Sequence, residues 1–409
     1  MQNIIYISLK ALEAFLKILL SFAAPLLIGL TLSGELYLVL SVVFILAPFM
    51  VGGSELSILR IFTSENISSV SKVNVVKSFL KLSILILLFL LVTFTFLNYF
   101  SLLSKINPAI GSFWIEIIIS AFFFSIITIL AWGLRAEGQL IANQLIIGIF
   151  WPLMCFFYIF KVGYLNISGQ SFPFFFMMSL LVLLPIASFK LLKKININFQ
   201  SNLKGEKLKI FKYNITFFIQ TLSSVSIQWL PILFVGLKFQ GDELGFFSIV
   251  YRLSLGLLAA IVISNMLGSK SFSELHQSKS FRKLKLLFRR LTLLSTVLGI
   301  IGFIVCIFII IYLADNQDLG TNLYGPYFLL FIITCTTFFG PCGMFLNMVD
   351  KEIQLRKINI CTMLSIIFVG ILGNLYFSVG SLYFLFGIII FLQSYAAYIF
   401  KNNYFREVL

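Results

Sequence analysis

The chain has 409 residues, of which 60% are hydrophobic and 48 are Phe, and its mean hydropathy is +1.05. That composition excludes an ordinary soluble globular domain and points to a membrane protein that crosses the bilayer many times. The net charge of +15 does not imply nucleic-acid binding, because no polar domain exists to carry the patch; it reads as a set of basic loops facing anionic lipid heads.

Since about 20 apolar residues cross the ~30 Å hydrocarbon core as a helix, the sequence divides into about twelve predicted spans. The first six are Leu12–Leu32, Leu36–Arg60, Ser78–Tyr99, Ser112–Trp132, Leu140–Phe160 and Phe172–Phe189. The second six are Ile210–Val235, Leu244–Leu267, Leu291–Leu313, Leu323–Met348, Ile358–Phe377 and Ser381–Phe400. Of the 30 Lys and Arg, only Lys105, Lys161 and Lys238 fall in the connections of one side. By the positive-inside rule the basic side is cytoplasmic, so both termini are expected there, in a bacterial inner membrane, with no cleaved signal segment.

The polar stretch 196–209 is expected to act as a basic cytoplasmic linker between two halves, 1–195 and 210–409. Ser269–Arg290 alternates Phe272, Leu275, Phe281, Leu284 and Leu287 with Lys279, Arg282, Lys283, Lys285 and Arg289. It reads as an amphipathic helix lying on the membrane surface. Prolines 25, 48, 152, 185, 231 and 341 lie within spans and are expected to kink them.

The halves carry matching turns. Gly34-Glu35-Leu36 opens span 2 and Gly241-Asp242-Glu243-Leu244 opens span 8. Ala136-Glu137-Gly138-Gln139-Leu140 and Lys351-Glu352-Ile353-Gln354-Leu355 hold equivalent places in the two halves. Two matches at nearly one offset indicate a duplication. Six spans per half make the repeat parallel, giving an all-α fold of two six-helix halves related by a pseudo-two-fold axis around a central cavity.

Charges inside spans are costly, roughly 2.5–3.5 kcal/mol or more each at mid-membrane, so they mark function or a partner. Arg252, with apolar neighbours on both sides, is the leading candidate to face a cavity. Arg60 serves either as an interfacial anchor or as a substrate contact. Lys17 is either a cavity cation or an i,i+4 partner of Glu13 that snorkels to the interface. Glu55 is a candidate for ion coupling or for a partner charge. Arg135 and Glu137 form either a charged turn or a gating element. Gln220, Gln228, Asn265, Asn347, Asn374 and Gln393 either line a polar path or hydrogen-bond between helices.

Cys155, Cys306, Cys335, Cys342 and Cys361 all read as core residues, and with a single His no metal or cofactor site is expected. There is no Walker phosphate loop, no HExxH and no nucleophile elbow, so the expectation is a transporter and not an enzyme.

Several stretches carry a family likeness: Gly34-Glu35-Leu36-Tyr37, Leu56-Ser57-Ile58-Leu59-Arg60, Gly245–Leu253 with Arg252, and Gly340–Lys351 with Leu346-Asn347-Met348. With the twelve spans and internal cations, the chain resembles the bacterial O-antigen flippases of the Wzx type. These are the polysaccharide-transporter branch of the multidrug/oligosaccharidyl-lipid/polysaccharide exporter superfamily. Glu55 departs from the pattern expected before the arginine. The resemblance implies a flippase that moves undecaprenyl-pyrophosphate-linked oligosaccharide repeat units, of O-antigen, capsule or exopolysaccharide, to the periplasmic leaflet by alternating access. It further implies coupling to an H+ or Na+ gradient and work alongside other O-antigen assembly proteins. Arg252, Arg60 and Lys17 would hold the anionic diphosphate. The rival readings are a multidrug/cation antiporter of the same superfamily, which should place acidic residues in its cavity, an O-antigen polymerase, which should carry a large outer loop, and a non-transporting scaffold.

Overall fold

The computed structural model describes residues 2–53, 58, 69–165, 171–194, 207–316, 323–349 and 351–408. Every regular element among them is helical. In chain order they are α1 (Gln2–Val51), α2 (Ser69–Tyr99), the short α3 (Leu102–Ile106) and α4 (Pro108–Ser112), α5 (Trp114–Ala136) and α6 (Leu140–Asn143). A π turn at Gln144–Ile149 leads into α7 (Phe150–Gly163), then α8 (Phe172–Lys194) and α9 (Lys207–Lys238). The remainder are α10 (Gly241–Leu257), α11 (Ala259–Gln277), α12 (Phe281–Asn316), α13 (Tyr324–Thr337), α14 (Cys342–Met348), α15 (Glu352–Tyr376) and α16 (Val379–Val408).

Eleven segments among the described residues are long and apolar enough to cross a membrane, the first being Ser8–Val51 with 44 residues. At 1.5 Å per residue those 44 residues would reach ~66 Å, twice the hydrocarbon thickness, so this segment supplies two crossings. The change of direction falls at Gly29, with φ 79° and ψ 168°, a conformation essentially confined to glycine. The Ser33 hydroxyl closes the bend by donating to the Gly29 carbonyl at 2.6 Å. The sequence placed this turn at Ser33–Glu35, four residues late, because Gly34 offers the same local chemistry.

The chain forms two compact units. One comprises Met1–Leu16 and Glu35–Trp229, the other Lys17–Gly34 and Leu230–Leu409. In the first unit, α5 packs along α8 and α2. Phe44 forms its aromatic centre, with ring centroids 4.8 Å from Phe124, 5.2 Å from Trp151 and 4.8 Å from Trp229. The π turn just ahead of Pro152 has a direct cause. Pro152 has no N–H to return to the carbonyl four residues back, so the ladder shifts register there. In the connection between α2 and α5, Asn107 caps α4 by accepting from the Ala109 N–H at 2.9 Å, with Pro108 in the first turn.

In the second unit, α13 packs on α16 and α11 on α12. The predicted span Leu323–Met348 is broken into α13 and α14. Pro341 cannot continue the ladder, and Gly340 adopts φ 71°. At the break the Thr337 carbonyl accepts from the Gly340 N–H at 3.2 Å and from the Ser295 hydroxyl of α12 at 2.8 Å. The surface helix expected over Ser269–Arg290 does not form. Its first part completes α11, its second begins α12, and a tight turn joins them with Lys279 at φ 53°. The apolar side chains of the pattern are consumed in a core: Phe272, Leu284 and Phe288 are buried with Phe345, Tyr404 and Phe405. The Phe272–Phe345 and Phe288–Phe345 pairs are edge-on at 5.5 and 5.2 Å, contacts worth about 0.5–1.5 kcal/mol each beyond area burial.

All five cysteines are free thiols, but they are not all core residues. Cys361 is exposed and Cys335 is half-buried. Cys361 shares a face of α15 with exposed Leu364, Phe368, Ile371 and Leu375. Lipid is as apolar as a core, so a cysteine in an apolar run suits either.

Candidate functional site

α10 is buried on nearly every side. All residues from Leu244 to Tyr251 are buried, as are Leu253, Ser254 and Leu257. A helix apolar all round belongs inside a bundle. The first break in this burial is Arg252, which is half-buried, followed by half-buried Leu255 and Gly256. The one cation of α10 therefore sits where the helix reaches a surface of its unit.

Within the same unit α10 runs antiparallel to Lys17–Gly34, and glycines set the spacing. A Cβ on Gly34 would stand 2.7 Å from the Gly245 backbone nitrogen, and one on Gly245 would run into the Leu30 carbonyl. At the other end, a Cβ on Gly256 would stand 2.8 Å from the Ile18 side chain. Small residues let the two backbones approach this closely. The Thr31 hydroxyl, donating to Asp242 Oδ1 at 2.7 Å, fastens one end of the seam. The other end, Ile18 against Gly256, lies next to Lys17 and one turn beyond Arg252. Two of the sequence's candidate cations are thus carried on segments that meet. Lys17 is half-buried, and its carbonyl accepts from Ser21 Oγ at 3.0 Å.

Arg60 and Glu55 lie outside the described residues. Arg135 and Glu137 are at the end of α5, where each has a partner. The Arg135 guanidinium lies 4.6 Å from the centroid of the Trp132 ring. Glu137 accepts from Lys72 Nζ at 2.7 Å, tying the start of α2 to the end of α5. Of the intramembrane amides, Gln393 donates to Asn359 Oδ1 at 2.9 Å, joining α16 to α15. Lys238 donates to the Phe377 carbonyl at 2.9 Å and the Gly373 carbonyl at 3.3 Å, where α15 ends.

One cluster was missed in the sequence. In the first unit Glu13 Oε2 accepts from Gln144 Nε2 at 2.6 Å and from Lys10 Nζ at 2.8 Å. Gln144 is 2% exposed and opens the π turn. A carboxylate inside a predicted span was itself the available signal, read instead only as a partner for Lys17. Its amide partner stands 131 residues away, and no spacing rule reaches that far. No group of three or more metal-ligating side chains occurs among the described residues.

On the second unit's surface a pocket of about 560 Å³ opens beside the start of α10, lined by Asp242, Glu243, Phe246, Tyr324, Ser378 and Ser381 among others. Its mix of carboxylates, hydroxyls and rings suits polyhydroxylated ligands.

No protein-family model matches the sequence, and no curated protein sequence matches it. Solved structures do. An inward-facing multidrug resistance transporter of the MATE family in the MOP superfamily aligns at TM-score 0.69 with 12% identity, covering 99% of this chain and 98% of that one. A MOP superfamily transporter from Pyrococcus furiosus, described as having a binding pocket of reversed polarity, aligns at 0.59 with 13% identity, covering 99% and 94%. The lipid II flippase MurJ, in an inward closed conformation, aligns at 0.59 with 13% identity, covering 98% and 87%. The chain is an all-helical, multi-pass membrane protein with the fold of the MOP-superfamily transporters and flippases, built on about twelve membrane helices.

Proposed function

We propose that this protein flips undecaprenyl-pyrophosphate-linked oligosaccharide repeat units from the cytoplasmic to the periplasmic leaflet of a bacterial inner membrane by alternating access. The observation that carries this reading is the seam at Ile18 and Gly256, which brings together the segments bearing Lys17 and Arg252. A diphosphate is a dianion or more, and two cations in a low-dielectric setting are what it requires. The basic end of the bundle faces the cytoplasm in this reading, with both termini there. The likeness in fold to the lipid II flippase MurJ supports it.

The ion-coupling role expected of Glu55 passes in this proposal to Glu13. A carboxylate on α1, held by the amide that opens the π turn and by an ammonium, can exchange a proton or hold Na+ as those partners shift. The repeat-unit sugars and other assembly proteins remain partners by resemblance.

A multidrug antiporter is the second reading, favoured by the MATE transporter on the same fold. The cations at its candidate site weigh against cationic cargo.

The test is complementation of a flippase-null strain carrying its cognate polysaccharide genes, with wild type, Arg252→Ala and Arg252→Lys at matched membrane levels. Ethidium efflux is measured in parallel. Wild type should restore long-chain surface polysaccharide, Arg252→Lys partly and Arg252→Ala not at all. Absence of rescue by well-expressed wild type refutes the flippase reading, and efflux that survives Arg252→Ala would favour the antiporter.

A further inference from the structure

A second cationic site lies at the basic end of the second unit, away from α1 and α10. Between α12 and α16 is a cavity of about 470 Å³ whose lining includes Lys285, Arg289, Phe338, Tyr398, Lys401 and Arg406. Lys401 forms its buried wall. The residue is 7% exposed, and its ammonium lies 4.0 Å from the Tyr398 ring centroid and 4.7 Å from that of Phe288. Aromatic faces attract a cation but do not neutralise it. Among the described residues no carboxylate pairs with Lys401, and Glu407, on the same helix, is engaged by Lys351 at 3.4 Å. Lys285, Arg289 and Arg406 at the mouth are exposed. Four cations converge on one cavity, with one of them buried. Such an arrangement is costly unless an anion completes it.

Depth identifies the anion's source. From Val379, at the start of α16, to Lys401 the helix rises ~33 Å, one hydrocarbon thickness, which puts Lys401 at headgroup level. Arg289 also heads a stripe on α12. Leu293, Val297, Ile301, Ile304 and Phe308 follow it at helical spacing toward the membrane centre, all exposed, and Phe338 at the cavity is exposed too. A phosphate held at Arg289 and Lys401 would thus have an apolar track beneath it for an acyl chain.

We propose that this cavity binds the phosphate of an anionic phospholipid headgroup in the basic-side leaflet. The site shares no residue with the α1–α10 seam, so its test stands whether or not the flippase reading holds.

The experiment is native mass spectrometry and fluorescent-lipid titration of the purified full-length protein with phosphatidylglycerol, phosphatidylcholine and inorganic phosphate. Wild type should retain phosphatidylglycerol in preference to phosphatidylcholine, and millimolar inorganic phosphate should not displace it. Arg289→Gln/Arg406→Gln, both at exposed positions, should weaken phosphatidylglycerol about 25-fold, from about fivefold per cation removed. Lys401→Met, which keeps the packing against both rings, should weaken it at least fivefold at unchanged thermal stability. Lys105→Gln, an exposed cation on the other side, should have no effect. Equal retention of the two lipids, or unchanged binding in the Arg289/Arg406 variant, overturns the site. Displacement by inorganic phosphate overturns the lipid as its source.

Discussion

Gly34→Ala tests whether backbone contact sets the position of the candidate cations. The added Cβ would stand 2.7 Å from Gly245 N, 2.9 Å from its Cα and 3.2 Å from the Leu244 carbonyl carbon. All three are backbone atoms, so none can rotate away. Ordinary contact begins near 3.4 Å, so the two segments must part by about 0.7 Å. A gap of that size forfeits a quarter to a half of each dispersion contact along the seam, and overpacking of this kind costs about 1–3 kcal/mol. Replacing a helical glycine returns up to about 1 kcal/mol of propensity, so the middle of that range leaves a net loss of about 1 kcal/mol. Gly343→Ala is the matched control. Its Cβ meets only Leu355 Cδ1, at 3.7 Å, so it should be neutral or stabilising by up to about 1 kcal/mol. Denaturant unfolding of the two variants in detergent should separate them by about 1–2 kcal/mol. If Gly34→Ala is as stable as wild type, the close approach does not govern the seam, and the reasoning that places Lys17 beside the Arg252 helix fails.

Glu13→Ala leaves the buried Gln144 amide without its acceptor and should cost about 1–3 kcal/mol in the same unfolding assay. Glu13→Gln keeps an acceptor of the same shape and should cost less, while abolishing any dependence of transport on the H+ or Na+ gradient; equal stability of the two variants would contradict the hydrogen bond. Lys72 and Glu137 are about one-fifth exposed, so a double-mutant cycle with both changed to Ala should give a coupling of about 0.5–1 kcal/mol, lowered by salt. A coupling of zero at low salt would remove this tie between α2 and α5.

The class of the protein was legible because the bilayer imposes a length. Runs of about 20 apolar residues and the one-sided Lys and Arg are written in local sequence, and they gave the spans and their number. The likeness to polysaccharide flippases led toward the same superfamily fold that the solved structures display. Local chemistry fixed some details as well: Pro152 shifted the register of its helix and Pro341 broke its span where a missing N–H requires it. Gly29 and Gly34 could not be told apart, because either can turn a chain and only packing decides which does. Gly34 was needed against Gly245 instead.

What composition could not determine was which side of an apolar helix meets protein. The Phe272–Phe288 pattern read as a membrane-surface helix and became a core, while Cys361 read as core and became exposed, because lipid and protein interior select the same side chains. The pairings of the charged groups were also invisible. Glu13 with Gln144, Lys17's segment with that of Arg252, and Lys401 with Phe288 each join residues far apart in the chain. Sequence determined that charges lie within the membrane and that they must be explained. Only the tertiary structure decided their neighbours, because a buried charge is stabilised by whatever the fold brings within a few ångströms of it.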